Sequence, residues 1–123
     1  MPTKIDRGEP TQLSAANSGP GDGTGSKECY DLPSKPTGIV GKIKKMSIDN
    51  QSGQNIIVYI CDNETDATNI TRATFIIAPI EMAIGEQVTL TEKDFGNARI
   101  ATGVLVGASA VNAEAYVQEV ELL

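Results

Sequence analysis

The chain has 123 residues, enough for one ordinary domain. A net charge of −6 at pH 7 leaves no large basic surface, which sets nucleic acid and anionic membrane aside as partners. Histidine is absent, which removes the usual general base, the Ser-His and Cys-His nucleophile pairs and most zinc sites, so no enzyme, cofactor or metal centre is expected.

Residues 1–37 contain five of the six prolines and five of the twelve glycines, with Ile5, Leu13, Tyr30 and Leu32 as their large apolar side chains. A segment of that composition buries too little apolar surface to offset its own ordering entropy. It reads as an extended arm that binds partner subunits through those four anchors, with NSGPGDGTGS (17–26) as a flexible span between them. The GDGTG within it matches a phosphate-cradling loop in composition only, since no strand precedes it and no helix follows. Residues 38–123 hold twelve of the thirteen isoleucines and form the domain proper.

Within that domain the apolar pattern is that of strands throughout. GKIKKMSIDN (41–50) turns Met46 and Ile48 inward and Lys45, Ser47 and Asp49 outward. QNIIVYICD (54–62) is apolar on both faces, which predicts a central strand with Ile57, Val58 and Ile60 in the core. TRATFIIAPI (71–80) reads as a third strand stopped by Pro79; no stretch shows a sustained apolar period near 3.6, although EMAIGEQ is compatible with a helical turn. EQVTLTEKD (86–94) alternates Val88 and Leu90 against Gln87, Thr89 and Thr91, and ARIATGVLVGAS (98–109) sets Val104 and Val106 on one face. The last segment, VNAEAYVQEVELL (111–123), is apolar at odd positions up to Val117 and at even ones from Val120, a parity change that marks a β-bulge near Gln118 and Glu119. The fold class expected is all-β: an antiparallel sandwich of six to eight strands, jelly-roll or immunoglobulin-like, preceded by the arm.

Side-chain chemistry is sparse. Asp62, Glu64 and Asp66 in CDNETDATN have carboxylates for a calcium ion but not the DxDxDG spacing, and a solvated turn is the expected reading. The sequons at Asn63 and Asn69 matter only in a secreted protein, and the PTKIDRGEP that follows Met1 lacks a signal's apolar run, which points to synthesis in the cytoplasm. The longest apolar runs, IIVYIC and FIIAPI, are too short to cross a bilayer. Cys61 sits in an apolar run and is expected to be a reduced, buried thiol rather than the disulfide partner of Cys29. Lys42, Lys44 and Lys45 are the one basic concentration; they read either as protection of an edge strand or as a docking patch for an acidic surface. Trp is absent and Tyr scarce, against the exposed aromatic stacking common in sugar-binding modules.

The progression KIKKMSIDNQSGQNIIVYICD, IIAPIEMAIGEQVTLTEKDF and GVLVGASAVNAEAYVQEVELL, from Gly38 to Leu123, resembles the small β-sandwich virion proteins of tailed bacteriophages, capsid decoration (cement) proteins among them. The resemblance implies a non-enzymatic subunit on the outer capsid surface, synthesised in the host cytoplasm and bound to the major capsid protein or other virion subunits, with a homotrimer on the lattice as one arrangement. The arm would then lace neighbouring subunits together. A neck, tail or fibre-attachment protein of the same kind of particle, or an adhesion or carbohydrate-recognition module, are the alternatives.

Overall fold

A computed structural model describes residues 4–33, 40–62, 69–96 and 98–123. Among these residues there are nine strands: β1 (Lys4–Asp6), β2 (Thr11–Leu13), β3 (Lys27–Asp31), β4 (Gly41–Asn50), β5 (Ile56–Asp62), β6 (Ile80–Met82), β7 (Gln87–Thr91), β8 (Gly103–Ala108) and β9 (Ala113–Leu122). One sheet runs β1-β9-β4-β7 with β2 also on β9, the other β3-β8-β5-β6, and every pairing is antiparallel.

Strands β1 and β2 act as one strand interrupted at residues 7–10, and the Gly8 amide bridges the gap by donating to the Val117 carbonyl at 2.9 Å. With that strand taken as first, the pairing is nested: first with last (β9), β3 with β8, β4 with β7 and β5 with β6. A ribbon paired in this way and folded across itself is a jelly roll. The immunoglobulin alternative is excluded by the strand order.

The sandwich therefore begins at the start of the described chain, which corrects the expected arm and its boundary at residue 38. Leu13 is 0% exposed, and Tyr30 and Leu32 are also buried in the common core with Ile43, Met46 and Val120. These three side chains are core residues, not anchors for another subunit. The Tyr30 hydroxyl donates to the Asp6 carboxylate at 2.9 Å, linking β3 in one sheet to β1 in the other. A Cβ at Gly8 would overlap the Cys29 carbonyl oxygen, so the break between β1 and β2 approaches β3 more closely than any other residue allows.

The parity change in β9 is present and is matched across the ladder. Inward pairs run Ile43↔Val120, then Met46↔Val117, so each strand sends two successive residues outward between them, Lys44 and Lys45 on β4 and Gln118 and Glu119 on β9. Because both strands carry the irregularity, the register beyond it is unchanged. Within this stretch the buried Gln118 Oε1 has no hydrogen-bond partner among the described residues.

Strand β5 is central, between β8 and β6, as its apolar faces predict. Val58 and Ile60 face the main core, while Tyr59 and Cys61 face outward under a second cluster formed with Ile70, Leu105 and Phe75. The cover comes from the segment read as a third strand. TRATFIIAPI makes a 3-10 turn at Arg72–Thr74 and an irregular run, and only Ile80 onward, after Pro79, is strand. Ile57 lies beyond that cover and is 37% exposed, a correction to its expected place in the core. EMAIGEQ is a tight turn through Gly85 at φ +73°, not a helical one. Both cysteines are buried free thiols, on opposite faces of the same sheet.

These placements predict opposite outcomes for two apolar truncations. Leu13→Ala should cost about 2–5 kcal/mol in denaturant unfolding, and Ile57→Ala about 1 kcal/mol or less. Removal of residues 1–33 should abolish cooperative unfolding altogether, because three strands and four core side chains, Leu13, Cys29, Tyr30 and Leu32, go with it.

Candidate interaction surface

Four connections meet at one end of the sandwich: the β2–β3 loop (14–26) and the turns β4–β5 (51–55), β6–β7 (83–86) and β8–β9 (109–112). Two asparagines, each 1% exposed, organise them. The Asn50 side-chain amide donates to the carbonyls of Gln54 (2.7 Å) and Ala83 (2.8 Å), and its oxygen accepts from the Ser52 amide and hydroxyl. One side chain thus ties two turns together and leaves none of its own polar capacity unused. Asn17 repeats the device in the long loop, donating to Asp22 and Thr24 carbonyls at 3.1 and 2.6 Å while accepting from the Gly19 amide at 2.8 Å.

This accounts for the glycine-rich span. The loop folds back on itself and lies on the outer face of the β3-β8-β5-β6 sheet, where the Asn17 amide donates to Ala108 and the Gly21 amide to Ile70. Gly25, at φ +76° with a virtual Cβ against the Ala16 carbonyl, admits no side chain. The Asp22 carboxylate accepts from the amides and hydroxyls of both Ser18 and Thr24. The Ser18 amide, then the Thr24 hydroxyl and amide, hold its pKa far below the ordinary 3.8.

Between the turns lies an open cleft of about 570 Å³ lined by Asn55, Ile57, Glu81, Met82, Ala83, Glu86 and Ser109. Its polar groups are engaged locally: Asn55 Oδ1 accepts from the Ile84 amide, Glu86 from the Ala83 amide, and Ser109 Oγ from the Ile57 amide. Among the polar and acidic residues exposed at this end stand three large apolar ones, with Ile84 65%, Val111 40% and Ile57 37% exposed. The charged lining residues, Glu81 and Glu86, are both acidic.

The residues singled out from sequence do not assemble into a site. Ile5 is exposed on the outward row of β1, where it pairs with Glu121, itself opposite Lys42. Lys42 and Lys44 both reach the Glu92 carboxylate, at 3.2 and 2.6 Å, and Lys45 is paired across the strands with Glu119. The lysines are thus interleaved with acids, and their strand lies between β9 and β7, although of the three only Lys45 falls within the stretch paired with β7. Asp62 is buried and caps the β7–β8 connection, accepting from the amides of Ala101, Thr102 and Gly103 at 2.8–3.3 Å. The rest of the acidic stretch, Glu64 and Asp66 included, and the sequon at Asn63 lie outside the described residues. Among the described residues no group of three or more His, Cys, Asp or Glu is placed to hold a metal ion. Ile84 was not among the residues singled out from sequence: it follows Met82 and Ala83 in an apolar stretch, and its exposure comes from the turn at Gly85.

No family model, curated protein or solved structure matches this chain.

The loop has a specific acid response. Because Asp22 has a lowered folded-state pKa, its contribution is complete above pH 3.8 and is lost as pH falls below that value. Wild type should therefore be more stable than Asp22→Ala at neutral pH, with the two unfolding curves converging as pH falls below 3.8. A constant gap across that titration would show that the carboxylate does not act through these bonds.

Proposed function

We propose that the chain is a non-enzymatic virion subunit of a tailed bacteriophage, of the capsid decoration type, that docks through the loop end of its jelly roll. The observation that carries this reading is the set of exposed apolar side chains at one end, Ile57 at the start of β5, Val111 on the β8–β9 turn and Ile84 on the β6–β7 turn that buried Asn50 ties to the β4–β5 turn. Single exposed apolar residues are ordinary, but several at one end around a cleft are the usual mark of a binding surface. The resemblance of the strand and turn pattern to phage virion proteins supplies the kind of particle, and a jelly roll is a common architecture for viral capsid components. The acidic cleft rim suits a partner surface that presents an apolar side chain flanked by lysine or arginine. Docking through this face replaces lacing by an N-terminal arm, since that segment is part of the sandwich.

Particles lacking the protein, titrated with purified chain, provide the test. Ile84→Asp should lower occupancy on the order of tenfold or more while leaving the melting curve of the free protein nearly unchanged. Lys45→Glu, away from the loop end, should bind as wild type does. Equal occupancy by wild type and Ile84→Asp would refute docking through this end, and failure of the wild-type chain to bind such particles would refute the virion role itself.

A further inference from the structure

The two sheets have four edges, and three of them are blunted. The β1/β2 edge is broken by Gly8 and Pro10 into two pieces of three residues. Strand β3 has a register break at Cys29 and carries exposed charges at Lys27, Glu28 and Asp31. Strand β6 is three residues long, follows Pro79, and has the next amide, that of Ala83, taken by Glu86. Each of these is a recognised device against strand addition.

Strand β7 has none. QVTLT is continuous with β4 from Lys45↔Thr91 to Asp49↔Gln87 without a break, and it contains no proline, glycine or charge. Valine and threonine favour extended pairing. The Asn50 amide donates to the Glu86 carbonyl, which fixes the alternation: residues 86, 88 and 90 turn their backbone groups toward β4, and 87, 89 and 91 turn theirs away from it. The Thr91 amide is held by the Asp94 carboxylate at 2.7 Å and its carbonyl accepts from the Asp94 amide at 2.9 Å, leaving the amides and carbonyls of Gln87 and Thr89 directed outward.

We propose that β7 is a dimerisation edge that pairs antiparallel with β7 of a second copy about a two-fold axis at Thr89. In that register the two Thr89 residues exchange both backbone bonds, and each Gln87 amide reaches the Thr91 carbonyl of the other copy as a second donor beside the Asp94 amide. On the inner face Val88, half-buried in one copy, lies opposite Leu90 of the other, so the apolar row continues across the axis. On the outer face threonine meets threonine. The next pair sets Glu86 against Glu92, and Glu92 is already neutralised by Lys42 and Lys44, which removes most of the like-charge penalty. A second copy is thus the occupant this edge matches residue for residue. The contact is short and each copy carries a charge of −6, so the dimer is weak, concentration-dependent and strengthened by salt. It concerns the free chain and does not depend on the docking reading.

Sedimentation of the full chain over a dilution series, at low and high salt, should show reversible dimerisation. Thr89→Lys sets two ammonium groups against each other at an exposed position and should reduce the association constant on the order of tenfold. Thr89→Cys places two thiols opposite each other at the axis, within disulfide reach, and should cross-link on mild oxidation much faster than Gln12→Cys on the far edge. The Thr89 amide should exchange with solvent more slowly as concentration rises. A chain that sediments as a monomer throughout, including one whose β7 accepts only a strand from another protein, overturns the proposal. So does a dimer undiminished by Thr89→Lys, or equal cross-linking of the two cysteine variants.

Discussion

The structure depends on one seam, the pairing of β9 with the first strands on one side and with β4 on the other. Lys4 lies opposite Leu122 and Leu13 opposite Ala113, so the two ends of the chain are hydrogen-bonded along the length of a single strand. Closing a loop of that size carries a large entropic cost, recovered only when the whole nested ribbon is in place. The remaining pairs, β3 with β8, β4 with β7 and β5 with β6, lie inside that closure. It follows that the fold has no dispensable terminal segment among its described residues, and that its folding is dominated by contacts distant in sequence, a topology that folds slowly for its size.

With the strands fixed, the loop end is a matter of satisfying backbone polar groups. Turns at the end of a sandwich have carbonyls and amides that the ladders cannot use. Asn50 and Asn17 absorb these from inside the protein, which leaves the outer surface of the turns free for apolar side chains without loss of rigidity. A preorganised apolar surface binds with little ordering cost, unlike a flexible arm that must be fixed residue by residue.

The β class, the strands β7 to β9 and the bulge were legible because an apolar alternation long enough to show its period runs through them, and the central β5 because its apolar run has no polar face. The first three strands were not. Two of them have three residues each, too few for a period, and their hydrogen bonds come from β9 and not from neighbours in sequence. Their apolar content was misjudged for the same reason: Leu13, Tyr30 and Leu32 are few, but each fills a core position, and a short strand needs no more. TRATFIIAPI misled in the other direction. Its run of Phe75, Ile76 and Ile77 has strand propensity, yet the segment packs as irregular cover over Tyr59, with ring centroids 6.3 Å apart between Tyr59 and Phe75. The loop-end surface was invisible to an approach that looked for conspicuous charge, since its distinguishing feature is exposure, and exposure of Ile84 or Ile57 is decided by where the covering segments stop.

The two cysteines sit on either side of one sheet, Cys29 toward the main core with its thiol on the Val104 carbonyl and Cys61 under the outer cover with its thiol on the Thr71 carbonyl. Burial pushes the Cys29 thiol up to about 12 and raises that of Cys61 as well, so neither is a thiolate at neutral pH. The sheet itself separates them, and no native-like motion brings one sulfur to the other. The native state is in this respect indifferent to redox potential: with both sulfurs buried on opposite faces, the same unbridged topology persists in a reducing compartment and in an oxidising medium for as long as the sandwich stays folded.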